Sequence, residues 1–308
     1  GDKSILDPGV AMLEEKCKIP VVGVAPYMNI QLEDEDSLTE RFDRHQEVGV
    51  IDMAGIRVPR ISNFTDFNPF ESIPGVSLRY VQHPSDLKQP DVIFLPGTKN
   101  TMDDLKWLRE SGMEALILKA AASGTLIFGI CGGYQMLGEN LSDPHGVEAG
   151  GTMRGIGLLP VDTVFAEHKT RTQVCGKFLE LDEEFAPLKN VEFTGYEIHM
   201  GETTYEPGGT VFSAIAETVG TQHVDEAMAN GCQYQNAAGS YVHGLFDSVE
   251  MQKALLRLLC QKKGLPEEAV SWIDEKVYKE QQYDKLAEGL RENMDMAKIY
   301  QILEEGLA

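Results

Sequence analysis

The sequence contains no apolar run approaching the roughly 20 residues a helix needs to span a bilayer, and no basic, apolar, then small-residue pattern at its start. Neither a membrane span nor a secretory signal is expected. It has no C-x-x-C pair. The five cysteines (Cys17, Cys131, Cys175, Cys232 and Cys260) are odd in number and widely spaced, which argues against a disulfide framework or a metal site and for a reducing cytoplasm. No G-x-x-x-x-G-K-[ST] occurs, so the chain has no P-loop to cradle ATP phosphates. Positive charge is scarce: 27 basic against 49 acidic residues leave a net charge of -22, which repels phosphate backbones and anionic lipid surfaces. Nucleic acid and membranes are therefore not expected partners.

What is present reads as a globular chain. At 308 residues and 42% hydrophobic it can bury one large core or two smaller ones. It opens on Gly1-Asp2-Lys3 without methionine and runs straight into a helical pattern, as a chain cut from something longer would. Pro8, with Val10, Leu13 and Cys17 at helical spacing, predicts an amphipathic helix over Leu6 to Lys18, and Ile19 to Ala25 reads as a buried strand. Gln31 to Glu47 is rich in Glu, Asp and Arg, the composition of a linker or a solvated helix, and a boundary is placed near Gln46.

Short apolar runs at Val48 to Met53, Ser77 to Val81, Val92 to Leu95 and Thr125 to Ile130 are interleaved with helical periodicity at Asp103 to Arg109 and Met113 to Ala122. This alternation predicts an α/β fold with a mostly parallel central sheet flanked by helices. Leu158 to Phe165, Thr172 to Phe178, Val191 to His199 and Ser240 to His243 read as further strands. From Val249 the pattern is helical. Ala254, Leu255, Leu258 and Leu259, then Met296, Ile299, Ile302 and Leu303, form apolar stripes that read as packing. The expected division is 1–45, 46–250 and a helical extension over 251–308.

The most informative segment is Gly129-Ile130-Cys131-Gly132-Gly133-Tyr134-Gln135. A buried strand enters a G-x-C-G-G turn and a helical run follows, which is the pattern of a nucleophile elbow. The nucleophile of such an elbow has a strained backbone, so its flanks must be glycine. A helix N-terminus at Cys131 favours thiolate, and the Gly132 N–H faces the oxyanion formed on attack. The plainer alternative is a buried structural cysteine in a glycine-rich turn. Gly97 and Thr98 follow another buried strand, whose end a parallel sheet brings to the same crevice. They can supply a second oxyanion N–H, or form a plain turn capped by Asn100 or Thr101. His243 closes a strand beside Gly244, and its near-neutral pKa suits removal of a thiol proton. Glu197 and His199 alternate along a strand and so share a face, which reads either as a binding surface or as an exposed polar strand face. Arg154, in a glycine-rich loop, can clamp a carboxylate or remain solvated.

Five stretches resemble the triad-type glutamine amidotransferases, and within them the branch that amidates corrinoids in cobalamin synthesis. They are Arg60-Ile61-Ser62-Asn63-Phe64-Thr65-Asp66-Phe67, Leu95 to Lys99, Gly129 to Gly138, Gly195-Tyr196-Glu197-Ile198-His199-Met200-Gly201, and Tyr241 to Asp247. The resemblance implies that Cys131 is the nucleophile and His243 its partner; Gly97, Thr98, Gly132, Gln135, Arg154, Glu197 and His199 are the candidates for binding substrate or oxyanion. It implies glutamine as the ammonia source and a corrinoid, adenosylcobyrinic acid a,c-diamide, as acceptor through a synthetase domain, with an earlier corrinoid as the alternative. Residues 1–45 resemble the end of that synthetase domain. No cofactor is implied for this chain, while ATP and magnesium are expected for the synthetase part that the chain lacks. Relatives outside the corrinoid branch have H-x-E, its carboxylate orienting the histidine. This chain has His243-Gly244-Leu245, so the orienting group is open, with Glu197 and Asp247 as candidates. A non-hydrolytic binding module and a cysteine hydrolase on a similar elbow remain alternatives.

Overall fold

A computed structural model describes residues 3–28, 30, 49–219, 222–223, 227–270 and 275–306. The charged stretch from Gln31 to Glu47 lies outside the described residues. The chain forms two compact units, residues 1–35 with 273–308, and residues 36–272. These limits differ from the three-part division expected above. Helical periodicity shows that a segment has an apolar stripe but not which neighbour the stripe meets.

In the smaller unit, α1 (Asp7–Cys17) begins with proline in its first turn and ends at Lys18 in the left-handed region. With it are α6 (Glu275–Asn293) and α7 (Met296–Glu305), the latter capped by the Asp295 side chain. Ile19 to Ala25 is not the buried strand expected. It is extended but finds only a single bridge, Gly23 to Met294, and Ile19 is exposed. The stripe on α7 has Met296, Ile299 and Ile302 partly buried and Leu303 exposed.

The larger unit holds one mixed sheet. Its parallel part runs in the order β2 (Val76–Val81), β1 (Ile51–Ile56), β3 (Val92–Leu95), β4 (Leu126–Ile130), β12 (Ala237–Ser240). Strands β1, β3 and β4 are buried at every position, as strands covered on both faces must be. Helices α2 (Thr101–Glu110) and α3 (Met113–Ala122) separate β3 from β4, and α4 (Gly132–Leu137) follows β4 directly. Asn100 caps α2 by accepting from the Asp103 amide at 2.9 Å.

Beyond β12 the sheet turns antiparallel, through β11 (Met228–Tyr234), β9 (Thr210–Val219), β7 (Val161–Phe178), β8 (Glu192–Tyr205) and β13 (Val242–His243). The hairpin of β5 (Asn140–Asp143) and β6 (Gly151–Arg154) joins at β7, and β10 (Gln222–His223) pairs with β9. The segments read as separate strands over Leu158 to Phe165 and Thr172 to Phe178 are one 18-residue strand, β7, with an irregularity between Phe165 and Thr170.

Helix α5 (Val249–Lys263) buries Ala254, Leu255, Leu258 and Leu259 in this unit's core, so the stripe expected there does pack. Beside it, Phe246 touches the rings of Phe67, Phe70, Phe94 and Phe128, with centroids 5.2–5.9 Å apart. This cluster ties the segment after His243 to the 3-10 segment Phe64–Ser72. Phe246→Ala is expected to cost roughly 3–5 kcal/mol, seen as a lower urea midpoint with an unchanged m value.

Candidate active site

Three neighbouring parallel strands, β3, β4 and β12, end at the same edge of the sheet. The central one, β4, leads into Cys131, β3 leads into the Gly97–Thr98 turn, and β12 leads through Tyr241 to His243. The crevice at the carboxyl ends of parallel strands is where such folds gather chemistry from distant parts of the chain.

Cys131 has φ 51° and ψ -110° at the junction of β4 and α4, a backbone that side chains rarely adopt. Its amide donates to the Ser240 carbonyl at 2.9 Å, which anchors the elbow to β12. The turn is so tight that a Cβ on Gly133 would stand 2.0 Å from the Leu95 carbonyl oxygen. Glycine there lets α4 start against β3. The Cys131 side chain is 8% exposed, and its thiol donates to the Ile198 carbonyl at 3.6 Å.

His243 is 1% exposed, bonds to Asp66 and lies close enough to Cys131 to feel its charge. Its Nδ1 meets Asp66 Oδ2 at 2.8 Å, leaving Nε2 for the thiol, while Asp66 Oδ1 accepts the Gly244 amide at 2.9 Å. Asp66 is therefore the carboxylate that orients the imidazole, in place of the candidates Glu197 and Asp247. Tyr196 stacks over the His243 ring with centroids 5.2 Å apart. Burial alone lowers the His243 pKa, but the hydrogen bonds and charges of Asp66 and Cys131 outweigh it and raise the value to about 10. The near-neutral value expected from the sequence is thus corrected. Beside the Asp66 carboxylate, His243 holds its proton at neutral pH.

Asp66 was quoted in the R-I-S-N-F-T-D-F string without a chemical role. It lies 177 residues from His243 in the chain, so no local spacing connects the two. The cue was a carboxylate inside one of the stretches that carry the resemblance.

Gly132, next to Cys131, packs closely against Thr98. A Cβ on Gly132 would lie 3.2 Å from the Thr98 nitrogen, and one on Gly97 would lie 3.0 Å from His243 Cε1. Gln135 is buried, donating to the Tyr241 hydroxyl at 3.2 Å and accepting from Thr101 Oγ1 at 3.0 Å. Glu197 and His199 share a face of β8, as alternation predicts, with Oε1 and Nε2 3.8 Å apart. They meet a buried network rather than the imidazole: Asn230 donates to Glu197 at 2.6 Å, and His199 stacks on Tyr241 at 3.8 Å. Ile198, between them, turns its carbonyl to the thiol. Arg154 is exposed at the end of β6, and none of its described contacts involves Cys131 or His243.

Residues 52–251 match the family described as the CobB/CobQ-like glutamine amidotransferase domain. The cobyric acid synthase of Ruminiclostridium cellulolyticum is 49% identical over 310 residues, covering 100% of this chain and 59% of that protein. The cobyric acid synthase of Lachnoclostridium phytofermentans is 49% identical over 319 residues, covering 100% of this chain and 61% of that protein. The chain thus spans about three fifths of the length of these relatives. Among solved structures, PurLQS from Thermotoga maritima aligns with a TM-score of 0.49 at 18% identity, covering 68% of this chain and 99% of that one. With 52–251 matched and a Cys131–His243–Asp66 constellation at the strand ends, the chain belongs to the CobB/CobQ-like glutamine amidotransferase family.

Proposed function

We propose that this chain hydrolyses glutamine at Cys131 and that the ammonia amidates a corrinoid, carrying adenosylcobyrinic acid a,c-diamide to adenosylcobyric acid in cobalamin synthesis. The observation that carries the first half is the buried His243, hydrogen-bonded to Asp66 and set beside Cys131 at the strand ends. The names of the curated relatives support the second half.

In this reading the Cys131 thiolate attacks the carbon of the glutamine side-chain amide, and the oxygen takes the negative charge beside the Gly132 and Thr98 amides. As the carbon–nitrogen bond breaks, the His243 imidazolium gives its proton to the departing nitrogen. Ammonia and a Cys131 thioester result. Neutral His243 then takes a proton from water, the resulting hydroxide attacks the thioester, and glutamate leaves. The thiolate and imidazolium are restored. Asp66 holds the ring in the tautomer that both transfers need. Gln135, Glu197 and His199 are assigned to the walls of the glutamine pocket and Arg154 to its rim.

Carboxylate activation by ATP and magnesium belongs to a synthetase part. No segment of this chain has the P-loop that step needs, and residues 1–45 are assigned to the end of that part. The setting is the cytoplasm. Among the described residues no helix is long and apolar enough to cross a membrane.

Ammonia release by the purified chain, measured with glutamine, asparagine and acetamide in parallel, tests the first half. Release from glutamine alone is the expected result. No release even with a synthetase partner present means a binding module, and release from all three amides means a general hydrolase.

A further inference from the structure

The segment that brings Asp66 to His243 also runs along the oxyanion turn. Ile61 forms an antiparallel bridge with Thr98, flanked by bonds from the Ser62 amide to the Gly97 carbonyl at 2.9 Å and from the Lys99 amide to the Arg60 carbonyl at 3.0 Å. In such a pair the hydrogen bonds fall on the flanking residues, and the N–H of the central residue points away from the partner strand. The Thr98 N–H is that central group. It has no acceptor among the described hydrogen bonds, and a Cβ on Gly132 would lie 3.2 Å from the Thr98 nitrogen. The Gly97 carbonyl, by contrast, is tied back to Ser62.

A polar clamp holds this arrangement from behind. Asp104, on α2 and fully buried, accepts from the Thr98 hydroxyl, from the Arg60 amide at 3.2 Å and from Arg60 Nη1 at 3.1 Å. Arg60 Nη2 also reaches Asp103 at 3.0 Å, and the Thr98 hydroxyl accepts from the Asn100 amide at 3.2 Å. Burial raises the Asp104 pKa although its bonds to Thr98 and Arg60 act to lower it. A carboxylate is costly to bury unless its partners are fixed, and here the partners are the turn itself and the strand beside it.

We propose that Arg60 and Asp104 are positioning residues that lock the Gly97–Thr98 turn so that the Thr98 N–H is the second oxyanion donor, paired with that of Gly132. This rests on the amidotransferase reading above. Residues 60–66 then align two parts of the site at once, the oxyanion donor through Arg60 and the imidazole through Asp66. An oxyanion donor acts on the transition state, so its displacement lowers kcat and leaves substrate binding and the thiol–imidazole pair alone.

The test uses the full chain with Thr98→Val, Asp104→Asn, Arg60→Ala and Arg60→Lys. The readouts are kcat and KM for ammonia release and the pH profile of Cys131 alkylation by iodoacetamide. Thr98→Val, Asp104→Asn and Arg60→Ala are expected to lower kcat about 10-fold or more with KM within about 2-fold, the alkylation profile unchanged, and Arg60→Lys to recover part of the loss. Thr98→Val removes only the hydroxyl from an otherwise equal shape, so the test stands even if Asp104→Asn does not fold. A Thr98→Val chain with wild-type kcat overturns the inference. An alkylation profile that shifts in step with kcat overturns it as well, since the clamp would then act through Cys131 and His243. A wild-type chain that releases no ammonia sinks the amidotransferase reading and this inference with it, whereas an active wild type with an equally active Thr98→Val sinks this inference alone.

Discussion

Cys131→Gly is expected to abolish ammonia release from glutamine and yet to give a more stable chain than Cys131→Ala. Loss of the nucleophile removes covalent catalysis, about 10⁶-fold in comparable enzymes. The stability difference comes from the backbone. At φ 51° and ψ -110° any side chain with a Cβ is strained, by about 1–3 kcal/mol in conformations of this kind. Glycine escapes that strain at an entropic cost of roughly 0.5–1 kcal/mol, so it should exceed alanine by about 1 kcal/mol. At an unstrained position the order is reversed. Urea unfolding of the two variants reads the sign directly. An alanine variant at least as stable as the glycine one would mean the elbow stores no strain, and residual hydrolysis in either would mean that another group is the nucleophile.

Asp66→Asn is expected to lower kcat by about 10²–10⁴-fold while the chain remains folded, because an amide can present its N–H to Nδ1 and so select the wrong tautomer. The same variant carries a pH signature. His243 is raised from 6.5 to about 10 against the lowering effect of burial, through hydrogen bonds and charges from Asp66 and Cys131. It gives its proton to the departing nitrogen, so activity is present below that pKa and is lost as pH rises through it. The wild-type alkaline limb of kcat/KM is therefore expected near pH 10. Without Asp66 the raising influence of the carboxylate is gone, and the limb should move toward lower pH. A limb that stays in place at a wild-type rate would show that the imidazole is oriented by some other group.

The elbow was legible because its cause is local. A buried strand, a cysteine between glycines and a helical run lie within about a dozen positions, and the strain and the helix N-terminus follow from that order. The expected Gly97 loop was legible for the same reason, but which amide it offers was not. The bridge that orients Thr98 involves Ile61, 37 positions earlier in the chain, and no local spacing connects the two. Arg154 lies on the exposed strand β6, and no local spacing relates it to Cys131. Ile19 to Ala25 had strand composition but found a single bridge to pair with, since a strand needs a neighbour as well as a pattern.

Local order in the sequence determined the α/β class, the glycine-flanked cysteine turn and the family resemblance, because turns, periodicity and short strings are properties of consecutive residues. Only the tertiary structure decided which carboxylate faces the imidazole and how strongly His243 holds its proton. Those depend on groups as far as 177 residues apart meeting at one sheet edge. Distances and desolvation at such a meeting arise from packing and have no counterpart in any window of the sequence.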